Sequence, residues 1–236
     1  MCGRYATSRS TADLAALFEA LDETGGVLVA DYNVAPTDPV PIVTAASGGR
    51  AVRVARWGLV PPWASDARIG VRMINARAET VLSSNAFGPS FRSRRCLVPA
   101  DGWYEWRPRE GGGKQAFFLT AEDGAGVVFA GLWTVSATGL VSCSIVTTAA
   151  IGNLKSVHDR MPLLLTPERW AGWLCGPADP ATLLAVPPMT FLDSLEVRPV
   201  GPAVGDVRND GPALTARIAM TALPQPEVEP TDLTLF

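Results

Sequence analysis

With 236 residues, 47% of them apolar, the chain can bury a full core as one large domain, and no 18-residue apolar run or secretory leader pattern stands out. A net charge of −3 argues against a generic polyanion binder, and one histidine with four dispersed cysteines excludes a zinc centre built from clustered ligands. A cytoplasmic protein without cofactor or membrane attachment is expected, with a monomer as the default. The charge is nonetheless uneven. Residues 50–95 hold nine arginines against two acids, Asp66 and Glu79, while residues from 176 onward hold eight acids against three arginines. The basic stretch is either a nucleic-acid surface or a set of arginines solvated in all directions.

Taken in order, residues 10–21 predict a helix. Ser10 with Asp13 three residues on makes a capping-box-like start, and Leu14, Leu17, Phe18 and Leu21 recur at helical spacing as a core stripe. The turn-rich 31–37 stretch leads to a strand over 40–44, and alternating valines and arginines predict another over 51–57. Residues 57–63 then break regular structure, because Pro61 and Pro62 remove two backbone donors. Trp63 on that loop is either a base-stacking surface flanked by arginines or a packed side chain. Over 73–80 an apolar segment ends and a short helix is expected to begin.

Residues 96–100 read as a buried strand running into Asp101-Gly102-Trp103-Tyr104-Glu105-Trp106. Desolvation among these aromatic residues would raise the Glu105 pKa, the usual route to a general acid or base; an arginine-paired surface carboxylate fits the same string. After a glycine turn at 110–114, strands over 116–120, 126–133 and 139–147 are expected to form a meander. The sole histidine stands in Val157-His158-Asp159-Arg160-Met161-Pro162. Thr166-Pro167-Glu168 starts a helix that turns Trp170, Trp173 and Leu174 to the core, followed by a short helix after Pro180 and a strand around 191–200. Strands outnumber helices without βαβ alternation. The fold class is therefore α+β, one domain over 2–222 with an antiparallel, barrel-like sheet and peripheral helices. An acidic, proline-rich flexible tail is expected over 223–236.

The amino end carries the most distinctive chemistry. Cys2 follows the initiator methionine and is small enough for Met1 removal to be expected. A free amino-terminal cysteine has an α-amine titrating near ~7.7–8.0 and a thiol near ~8.5, so both nucleophiles are populated at neutral pH. An aldehyde meeting the pair can form a Schiff base that the thiol closes into a thiazolidine ring. A small buried residue at a strand start is the alternative role for this cysteine.

Four strings in order, Met1-Cys2-Gly3-Arg4, Asn75-Ala76-Arg77-Ala78-Glu79, Pro99-Ala100-Asp101-Gly102-Trp103-Tyr104-Glu105-Trp106 and His158-Asp159-Arg160-Met161-Pro162, resemble the SOS response-associated peptidase family of abasic-site processing proteins. The resemblance runs from residue 2 to about residue 200. It implies a protein that shields abasic sites in single-stranded DNA through a covalent thiazolidine crosslink on Cys2. It further implies that Asn75 positions the abasic sugar, that Glu105 is the acid/base, and that His158 orients Glu105 and contacts the lesion. Arg77, Arg160 and Arg4 resemble phosphate contacts, and Pro36, Trp63 and Trp106 the apolar surface against which bases stack. Weak β-elimination and autolytic removal of Met1 belong to the same implied chemistry. The same residues also suit a thiol peptidase built on Cys2, His158 and either Glu105 or Asn75. Finally, Asp232-Leu233-Thr234-Leu235-Phe236 resembles the peptides by which bacterial polymerases dock on the sliding clamp.

Overall fold

The computed structural model describes residues 2–177 and 179–219. Its first strand, β1 (Tyr5–Thr7), leads into helix α1 (Thr11–Phe18). Ser10 Oγ accepts the Asp13 N–H at 3.1 Å and donates to the Asp13 carboxylate at 2.6 Å, so the expected cap forms. The helix is shorter than its leucine spacing predicts. Glu19 takes the left-handed conformation (φ 48°), and the chain turns at once into β2 (Ala20–Asp22). Leu14 and Phe18 are buried as expected, but Leu17, at the edge of that helix face, is 42% exposed, and Leu21 is exposed because the turn ends the helical period before it.

β3 (Asp31–Val34), β4 (Pro39–Ala46) and β5 (Gly49–Trp57) follow, the last two as a hairpin. The segment expected to start a helix after Asn75 is instead β6 (Asn75–Arg77), held by parallel pairing with a distant strand. Helix α2 (Gly88–Ser93), which no sequence pattern announced, precedes β7 (Arg95–Ala100) and β8 (Gly102–Pro108). Then come β9 (Lys114–Ala121), β10 (Val127–Val135), β11 (Val141–Ala149) and the short β12 (Arg160–Pro162). Helices α3 (Pro167–Cys175), α4 (Pro180–Leu183) and α5 (Met189–Asp193) lead to β13 (Leu195–Val200).

Five strands form one sheet in the order β13-β9-β8-β1-β3. In the other, β11-β10-β7-β4-β5 closes on itself through parallel pairing of β11 with β5, Ser142 opposite Arg56 and Cys143 opposite Trp57. That closure is the barrel, and β6 continues along the same edge of β11. The expected meander is not formed. β9 pairs with β8 and β10 with β11, but β9 and β10 lie in different sheets. The crossing turn brings Gly126 (φ +77°) so near the main chain that a Cβ there would lie 2.7 Å from the Ala100 carbonyl oxygen.

The largest apolar cluster fills the space between sheet and barrel and includes Cys2, Tyr5, Trp57, Trp103, Phe129 and Cys143. Tyr5 meets Trp57 edge-on at 5.0 Å and Phe129 at 5.8 Å, which anchors β1 against the barrel. A second cluster lies under α1 and α3, where Phe18 packs on Trp170. A third covers the outer face of the five-stranded sheet. Among the described residues no helix is long and apolar enough to cross a membrane. The 223–236 tail, its boundary at 222 and the 232–236 peptide lie outside the described residues.

Candidate active site around Cys2

Cys2 is fully buried at the entrance to β1, and its carbonyl oxygen accepts a 2.7 Å hydrogen bond from Asn75 Nδ2 at the start of β6. The antiparallel register of β1 on β8 places Tyr5 opposite Trp103, and the Tyr104 N–H reaches the Arg4 carbonyl at 2.9 Å. Continued by two residues, that register sets Glu105 opposite Gly3, beside Cys2. The pleat turns Glu105 to the same inner face as Trp103. At 3% exposure its carboxyl is pushed up by burial to about 7, with the positive charge of the chain's amino terminus working the other way. Burial, and then the Glu105 charge, push the Cys2 thiol well above its ordinary value.

His158 follows a 3-10 turn (Gly152–Ser156), in the loop before β12. Its Nδ1 accepts the Arg160 N–H at 2.9 Å. Asp159 Oδ1 also lies 2.8 Å from Nδ1, but an imidazole nitrogen cannot accept one hydrogen bond and donate another. The main-chain donor is fixed, whereas the Asp159 side chain is 84% exposed and water can serve it. We therefore place the neutral ring's proton on Nε2. Burial lowers the His158 pKa, which favours that neutral form. Asp159 is close enough to raise the Glu105 pKa as well, so Cys2, Asn75, Glu105 and the His158 loop share one neighbourhood.

The remaining candidates divide. Arg77 lies two residues beyond Asn75 on the same face of β6 and is exposed. Trp63 is 62% exposed on its loop, which decides in favour of exposure over packing. Pro36 is half-buried in the turn before β4. Arg160 is not open: its guanidinium is held by Glu79 at 2.6 and 3.0 Å and by the Thr147 carbonyl at 2.8 Å. The Arg4 guanidinium is likewise engaged, donating to Asn33 Oδ1 at 2.7 Å and the Val204 carbonyl at 2.9 Å. Trp106 packs on the outer-face cluster with Tyr104 and Phe118, because the pleat that turns Glu105 inward turns its neighbour outward.

The basic stretch is likewise less open than its composition suggests. Arg50, Arg53, Arg56, Arg68, Arg92, Arg94 and Arg95 are already bonded to carbonyls, acids or a hydroxyl, leaving Arg72 and Arg77 of the nine. Sequence reasoning assigned no role to Glu79 or Thr147, and no spacing in the chain links them to Arg160. Among the described residues no three His, Cys, Asp or Glu side chains converge as metal ligands.

The fold, a barrel packed on a five-stranded sheet, has counterparts among solved structures. A protein from Bacteroides thetaiotaomicron superposes with a TM-score of 0.79 at 24% identity, covering 92% of this chain and all of that one. The abasic site processing protein YoqW of Bacillus subtilis is 33% identical over 221 residues, 91% of this chain and 98% of that protein. YedK of Escherichia coli, also called an abasic site processing protein, is 33% identical over 226 residues with the same coverage. The family model for the SOS response associated peptidase matches residues 1–207, and the chain belongs to that family.

Proposed function

We propose that this protein captures abasic sites in single-stranded DNA as a thiazolidine on Cys2 once Met1 has been removed. The observation that carries the reading is the buried pairing of Cys2 with a carboxyl whose pKa is raised to about 7. Glu105 at neutral pH is divided between acid and base, so one group can serve successive proton transfers. As acid it protonates the ring oxygen of the closed abasic sugar; the ring C–O bond breaks, the anomeric hydroxyl gives its proton to solvent, and the aldehyde is freed. The Cys2 amine adds to that carbonyl, water leaves, and a Schiff base forms.

The thiol then adds to the same carbon. Its raised pKa makes it a poor thiolate, so it needs a base close by. Glu105 takes the thiol proton as the C–S bond forms and returns it to the nitrogen, closing the ring with no change of oxidation state. Asn75, through its bond to the Cys2 carbonyl, holds the reacting residue in place. β-Elimination from the Schiff base and autolytic loss of Met1 are further parts of this reading. Docking of residues 232–236 on a sliding clamp is a separate part, checked by clamp pull-down with and without that peptide; equal recovery would end it.

The test is a single-stranded oligonucleotide containing one abasic site, run with the protein on a denaturing gel. A shifted band is expected for the wild type and none for Cys2→Ala, which should still bind the oligonucleotide within about twofold. Undiminished capture by Cys2→Ala, or by protein whose amino terminus is blocked, would remove Cys2 from the chemistry.

A further inference from the structure

Glu79 lies 81 residues from Arg160 in the chain, yet grips its guanidinium with both carboxylate oxygens. A third anchor comes from Thr147, whose carbonyl accepts from Arg160 Nη2 at 2.8 Å and from the Ala78 N–H at 2.9 Å. The bracket thus ties the residues just past β6 and the last residues of β11 to the start of β12. That start needs support. β12 has only three residues; beyond its Arg160–Ala149 pair a single further bond, from the Ala150 N–H to the Asp159 carbonyl at 2.9 Å, holds it before the chain turns into the His158 loop, the end where a strand frays first. The N–H that His158 Nδ1 accepts belongs to this same residue.

We propose that Glu79 is a positioning residue for His158: by holding Arg160 it fixes the main-chain donor that sets the ring's orientation and keeps its proton on Nε2. Arg160 then acts first through its backbone and only secondarily as a cation facing DNA. The charged groups around the ring are Asp159, Arg160 and the chain's amino terminus. Half-exposed at 51%, Glu79 contributes little to the core, so its variants are expected to fold.

The chain has one histidine, so NMR of tag-free protein follows this ring without ambiguity. In Glu79→Ala the His158 titration midpoint should rise, as the ring loosens into solvent and sheds the burial that holds it down. Removing a negative charge, and freeing the guanidinium, would by themselves move it down. A rise is therefore specific to lost positioning. Glu79→Gln keeps an acceptor for Arg160 and should stay near the wild-type midpoint. No movement in Glu79→Ala, a fall, or equal behaviour of the two variants overturns the proposal.

The consequence for capture rests on the crosslinking reading. There, Glu79→Ala should slow the single-turnover rate on the order of tenfold and move its acid limb to higher pH, with DNA affinity and salt slope unchanged. A steeper salt slope at an unchanged rate would make Glu79 a mere shield for a phosphate-binding arginine, and the proposal fails. If the wild type forms no crosslink, the crosslinking reading fails by itself, and the ring titration still decides the role of Glu79.

Discussion

The buried and the exposed members of the candidate site are built on opposite terms. Cys2 and Glu105 sit between sheet and barrel at 0% and 3% exposure, and both are pushed toward their neutral forms. Arg77 and Trp63 stand in solvent, where charge and ring faces stay available to a partner. Burial tunes reactivity at the expense of stability, whereas exposure supplies affinity and leaves the core alone. Substitutions in the buried group should therefore change rates and stability, and those in the exposed group only binding.

The largest effect is expected for Glu105→Gln. Loss of the acid/base should slow capture roughly 100- to 1,000-fold and abolish a rate dependence centred near pH 7. The same variant should be more stable than the wild type at alkaline pH. A carboxyl whose folded pKa is raised contributes its stability below its unfolded value, near ~4.3, and loses it as pH rises through about 7. Ionising Glu105 in the fold thus costs about 3–4 kcal/mol, and the stability gap should close by about pH 4–5 in denaturant titrations. A gap that does not vary with pH would mean the carboxyl is not desolvated in solution.

Next, Trp63→Ala should weaken binding to single-stranded DNA about tenfold with an unchanged melting temperature, as befits a stacking platform. Unaltered affinity would leave this tryptophan without a part in DNA binding. The smallest effect falls to Arg77→Ala. A few-fold loss in affinity is expected, with a salt slope shallower by about 0.7, the share of one phosphate on a single strand. A loss of rate without a change in slope would move Arg77 from the binding surface to the chemistry.

Much of this architecture could be read from local pattern. The Ser10 cap, the Thr166-Pro167 helix start and the apolar runs of β4, β5, β7 and β9 are signals carried by neighbouring residues, and each element formed near its expected place. The four strings that resemble the family also stood in plain order along the chain. Misreadings arose where distant partners overrode local preference. β6 is a strand because β11 pairs with it, and Leu21 left its helix because Glu19 turned the backbone. β9 and β10 parted because each has both edges taken by strands of a different sheet, β8 and β13 for one, β7 and β11 for the other.

By itself the sequence determined which residue types were present to do chemistry: a cysteine placed to become amino-terminal, a carboxylate among aromatics and a single imidazole. Only the tertiary structure decided that Glu105 faces inward beside Cys2 while Trp106 faces away, and that Arg160 is held whereas Arg77 is open. Residue type is a local property, but burial and pairing are made by segments far apart in the chain. They appear only once sheet and barrel have closed around the amino terminus.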